Sequence, residues 1–164
     1  MFENTFLRIA NRLYSPIIKI GDNLQSLFLL CARLIWGHQF FIAGSAKFAH
    51  SAEVIQFFTS LHVAAPTVTT YVVATFEILG GICLFFGFAS RLASIPLIAI
   101  MFTALSLAHE TPFTIRTLLL QPDLLVHEAP YPFLVTSLLI FIFGPGKISI
   151  DGWLKRWVSR QPKY

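Results

Sequence analysis

The stretch from Thr70 to Phe88 carries one formal charge along its length, the carboxylate of Glu77. An apolar run of this length is what a helix needs to cross the hydrocarbon of a bilayer. An ionised side chain placed there costs roughly 2.5–3.5 kcal/mol on insertion scales, so it needs a partner. The other run with a charge at comparable depth is 24–46, which holds Arg33. At a rise of 1.5 Å per residue, Arg33 lies roughly 13 Å from Leu24 and Glu77 roughly 16 Å from Phe88. Both fall near mid-membrane measured from the same side, which predicts an Arg33–Glu77 contact between two antiparallel helices as the centre of the fold.

Composition supports the bilayer as solvent. Hydrophobic residues make up 55% of the 164-residue chain and charged residues 12%. A soluble domain has about 25% charged residues, so this chain lacks the polar surface to coat a globule. The net charge of +4 does not point to nucleic acid, because the basic residues fall at the ends of the apolar runs. Cys31 and Cys83 both lie inside those runs, a pattern that is neither a secreted disulfide framework nor a metal motif. Packing is the expected role for both thiols, since a cysteine in lipid is poorly ionised.

In chain order, residues 1–23 read as an amphipathic interfacial segment that Pro16 ends. Four spans follow, at about 24–46, 70–88, 92–108 and 130–144, within a membrane domain of 24–147. The loop after the first span holds a short amphipathic helix opened by Ser51, with Val54, Ile55, Phe57, Phe58 and Leu61 at helical spacing. Ala89-Ser90-Arg91 is too short a linker for anything but antiparallel neighbours. Residues 148–164 form a basic interfacial helix and tail with Trp153 and Trp157 one turn apart. The expected fold is therefore all-α: an integral membrane four-helix bundle with short amphipathic helices at both termini and in the first outer loop. Arg8, Arg12, Lys19, Arg91, Lys147, Lys155, Arg156, Arg160 and Lys163 share one side, against Lys47 and Arg116 on the other. The positive-inside rule then places both termini in the cytoplasm.

On the first span Arg33, Gly37, Phe40, Gly44 and Lys47 share a narrow arc, as do Glu77, Gly81, Leu84, Phe88 and Arg91 on the second. Gly37, Gly44, Gly80, Gly81 and Gly87 are candidate packing glycines, since small residues let membrane helices approach closely. A second polar set, Lys47, His50, His109, Glu110, His127 and Glu128, falls at the outer interface. Histidines with carboxylates bind metals or anions or shuttle protons, but no pair here has tight ligand spacing, and solvated rim residues are the plainer reading. His38 faces away from Arg33, with Thr103 or Ser106 as expected hydrogen-bond partners.

Arg33-Leu-x-x-Gly37 with Gly44 and Lys47, Glu77-x-x-Gly80-Gly81 with Gly87 and Arg91, His109, and Gly144-Pro-Gly146 followed by Ser149-x-Asp151 together resemble the DoxX family of small bacterial membrane proteins. The resemblance covers about 24–152. It implies a four-span bundle in the inner membrane, acting within redox or thiol-stress assemblies, some of them linked to quinones. On that reading a polar cavity built from Arg33 and Glu77, with Lys47 and His109, takes a quinone or a small anion. The partners are the lipid bilayer and a further protein or a second copy of the chain. Two other classes stay open: a non-enzymatic scaffold docking a soluble partner, and a transporter of a small solute or metal.

Overall fold

The computed structural model describes residues 2–108 and 126–159. Among these the helices are α1 (Phe2–Ala49), α2 (Ser51–Ser60), α3 (Pro66–Phe86), α4 (Ser90–Ala108), α5 (Pro130–Phe143) and α6 (Ile150–Val158). α1, α3, α4 and α5 pack in that order around a closed bundle: α1 lies mainly on α3, α3 on α4, α4 on α5, and α5 returns to α1. α2 covers one end, called here the loop end. α6 closes the other, the tail end, beside the α3–α4 turn.

α1 departs from the expected short N-terminal helix. It runs unbroken for 48 residues with Pro16 inside it. A proline removes one intrahelical hydrogen bond, and the turns on either side keep theirs. At 1.5 Å per residue α1 is about 72 Å long, more than twice the thickness of a hydrocarbon core. Its apolar part is Ile20–Ala49, and with α3 and α4 it makes three helices, among the described residues, that are long and apolar enough to cross a membrane. α5 is also apolar but only 14 residues long, bounded by Pro130 and by Gly144 at φ +80.

Inside the bundle Phe40, Leu84, Leu97, Met101, Leu105, Leu134 and Ile140 form the core. Phe133 of α5 meets Trp36 and Phe40 of α1 edge-on, at ring centroid distances of 4.9 and 4.7 Å. The outer faces are equally apolar: Ile35, Ile42, Phe76, Leu79, Phe86, Ile95 and Ile142 all stand exposed. An apolar exterior of this extent is unstable in water and suited to lipid.

The α1–α3 register is set by backbone contact. A Cβ added at Gly37 would lie 2.8 Å from the Phe85 nitrogen and 2.9 Å from the Gly81 oxygen. One added at Gly44 would lie 2.7 Å from the Ala74 oxygen and 3.0 Å from Glu77 Cβ. Only hydrogen fits at these crossings, so the two helices lock with Gly37 over Gly81 and Gly44 over Glu77.

Candidate functional site

That register decides which charges meet. Lys47 stands in the last turn of α1, one turn beyond Gly44, and its Nζ donates to Glu77 Oε2 at 2.6 Å. Glu77 is 1% exposed while the Lys47 side chain keeps 26% of its surface. The lysine stem therefore lies against the bundle with its head turned inward to the carboxylate. Glu77 also lines a cavity of about 290 Å³ between α2, α3 and α4, walled by Phe58, Val73, Ile100, Thr103 and Leu107. Thr103 Oγ1 donates to the Ala99 carbonyl at 2.8 Å, leaving its oxygen lone pairs to face other donors.

The expected Arg33–Glu77 contact is not formed. Arg33 packs against Gly87, ten residues along α3 from Glu77 and so about 15 Å away along the helix axis. Distance from the apparent end of each apolar run does not fix which residues of two helices meet. The glycine crossings instead slide α1 along α3 until Lys47, not Arg33, reaches the acid. A single cavity holding Arg33, Glu77 and Lys47 together is corrected in the same way, because Arg33 sits at the tail end, about 15 Å along α3 from the Lys47–Glu77 pair. The sequence did hold a signal for Lys47: it shares the arc of Gly37 and Gly44, the residues of closest approach.

Arg33 is instead part of a clasp at the tail end. It is 1% exposed, and its Nη2 donates to the Ile148 carbonyl at 2.7 Å. Gly87, at φ +69, makes room for the guanidinium and ends α3. The Phe88 nitrogen returns to the Cys83 carbonyl at 2.9 Å and the Gly87 nitrogen to Leu84 at 3.1 Å, the pattern of a glycine-terminated helix. Asp151 then joins the ends of three helices. Its carboxylate accepts from the Ala89 and Ser90 nitrogens at 2.8 and 3.0 Å, capping α4, and its own nitrogen donates to Gly87 O at 2.9 Å. Ser149 caps α6 by accepting from the Gly152 nitrogen at 2.9 Å. Asp151 also acts electrostatically on Arg33 from beyond ion-pair distance.

The outer polar set is divided. Lys47 leaves it for Glu77. His50 is exposed at the α1–α2 junction with Nδ1 3.2 Å from the Ala46 carbonyl. His127 is exposed and Glu128 half-buried just before α5, while His109 and Glu110 lie outside the described residues. Among the described residues no three His, Cys, Asp or Glu side chains come together in a metal-holding group. His38 is exposed, and its expected partners bond their own helix: Thr103 to Ala99 and Ser106 to Phe102. Cys31 and Cys83 are free thiols. Gly80 meets the Leu97 side chain of α4 rather than a backbone.

A bundle of lipid-facing apolar helices locked by glycine crossings and holding a buried ion pair defines a multi-pass helical membrane protein. Residues 28–110 match the model of the DoxX family. A Bacillus subtilis (strain 168) protein named "Putative oxidoreductase CatD" is 30% identical over 122 residues, covering 74% of this chain and 83% of that one. The chain belongs to the DoxX family. No solved structure gives a significant match to it.

Proposed function

We propose that the chain is the membrane-embedded subunit of an inner-membrane redox assembly, and that the cavity beside Glu77 takes a quinone headgroup. The observation that carries this reading is Glu77, which is paired with Lys47 at 2.6 Å and lines a mostly apolar cavity of about 290 Å³. An ionisable residue within a membrane-spanning helix marks a candidate functional site, and a quinone needs an apolar slot with a few polar groups aimed at its carbonyls. The oxidoreductase name of the Bacillus relative supports a redox setting. Reduction of a quinone to a quinol takes two electrons and two protons. The electrons come from a partner protein or a sulfur donor, and this chain supplies the pocket and, through Glu77, a group that passes protons.

In the same reading the tail end, which carries Arg91, Lys147, Lys155 and Arg156, faces the cytoplasm. The test is binding of a short-chain benzoquinone to the purified full chain in nanodiscs. Glu77→Gln, which keeps the shape and removes the charge, is expected to weaken binding at least tenfold. Unchanged affinity in that variant, with a folded protein, sinks the quinone site.

A further inference from the structure

A cavity larger than the one beside Glu77 lies at the tail end, away from that residue. It is a cleft of about 880 Å³ between the first turns of the apolar part of α1, the α3–α4 turn, the end of α5 and the start of α6. Arg91, Lys147, Lys155 and Arg156 stand around it, with Asp22 and Asp151 as its acids. Asp151 is committed to the Ala89 and Ser90 nitrogens, so the cations outnumber the acid left to balance them. Arg33, one helical turn beyond Leu29 on α1, adds a buried positive charge behind the cleft floor. Its Nε and Nη1 have no hydrogen-bond partner among the described residues.

Two of the cations are already held in place. Arg91 Nη2 donates to the Ile142 carbonyl at 3.2 Å. Arg156 donates from Nε to Gly152 O at 3.1 Å and from Nη2 to Lys147 O at 3.2 Å. The side chains of Lys147 and Lys155 are exposed, and neither ammonium makes a hydrogen bond or ion pair among the described residues. The wall toward the bundle exterior is apolar: Leu92 is 70% exposed and Phe143 53%. α6 fixes the depth. Trp153, Leu154, Trp157 and Val158 make an exposed apolar face on a helix whose polar side carries Lys155 and Arg156, the arrangement of a helix lying in the interface plane. The four cations therefore sit at headgroup level, with the apolar wall running from them into the hydrocarbon.

We propose that this cleft is a binding site for one anionic phospholipid of the surrounding bilayer, its phosphate held by Lys147, Lys155, Arg91 and Arg156 and its acyl chains lying on Leu92 and Phe143. Charge complementarity selects an anion. The volume exceeds what a free phosphate fills, and the apolar wall gives a phosphate alone nothing to cover. The site is independent of the quinone reading, since it shares no residue with the cavity beside Glu77.

The test is native mass spectrometry of the full chain in detergent, titrated with phosphatidylglycerol, with phosphatidylcholine and with inorganic phosphate. Phosphatidylglycerol is expected to bind well ahead of the other two. Lys147→Ala and Lys155→Ala, which break no internal hydrogen bond of those side chains, are each expected to weaken it about fivefold, and the double variant about 25-fold. Gln25→Trp adds bulk in the cleft and changes no charge, and it too is expected to lower retention. Equal binding of the two lipids, binding of phosphate as tight as that of the anionic lipid, or full retention in Gln25→Trp would each overturn the proposal. The last outcome would reduce the lysines to diffuse surface charge.

Discussion

Lys47→Met separates the observed ion pair from the one the apolar runs suggest. The substitution keeps an apolar stem of similar length and removes the ammonium 2.6 Å from Glu77. Glu77 is then left at 1% exposure with no cation. Breaking a buried pair from one side costs about 3–5 kcal/mol, and a lone carboxylate in hydrocarbon roughly 2.5–3.5 kcal/mol. The two figures overlap near 3 kcal/mol, about a hundredfold in the unfolding constant. The reverse change, Glu77→Gln, is milder. Lys47 keeps 26% of its side-chain surface and stands in the last turn of α1, so its head swings out to the interface at a cost of about 1 kcal/mol. The double variant has no charge to strand and is expected to match Glu77→Gln, a coupling of about 3 kcal/mol. The assay is unfolding by sodium dodecyl sulfate in mixed micelles, followed through Trp36 where it meets Phe133. A Lys47→Met protein within 1 kcal/mol of the parent, or a double variant no more stable than Lys47→Met, refutes the argument. The same cycle run on Arg33 and Glu77 should show coupling below about 0.5 kcal/mol, the additivity of distant sites.

Other expectations follow from the same contacts. Gly81→Leu drives a side chain into the Gly37 carbonyl, 2.6 Å from where its Cβ must sit, and is expected to destabilise by about 3 kcal/mol or abolish folding. Gly21→Ala has nothing within 4 Å and should be neutral or stabilise by up to about 1 kcal/mol; both are read in the same unfolding assay. Asp151→Ala strands the Ala89 and Ser90 nitrogens and should cost about 1–2 kcal/mol. Hydrogen exchange at the first turn of α4 reports that loss directly, and protection equal to the parent's counts against the cap.

Much of the clasp at the tail end has a local origin. Gly87 is required because α3 ends in a left-handed turn, and Ser149 caps the helix it precedes, so both are recognisable from neighbouring residues. Asp151 is different. Its partners lie 61 and 62 residues earlier, and nothing in its own neighbourhood says that it caps α4 as well as opening α6. The long α1 was hidden by Pro16, whose breaking tendency is a local preference worth one hydrogen bond and is overridden by the turns around it.

By itself the chain of residues determines the solvent and the elements. Runs such as Thr70–Phe88 are too apolar for water and long enough for lipid, and in lipid a helix is the form that satisfies its own backbone. Glycines on the arcs of Arg33 and Glu77 say which faces touch. What only the tertiary structure decides is how far one helix slides along the other. A shift of a few residues keeps every apolar side chain in an apolar place, so hydrophobic pattern hardly resists it. The backbone crossings of Gly37 on Gly81 and Gly44 on Ala74 and Glu77 do. They hand the carboxylate to Lys47 and leave Arg33 to the tail end.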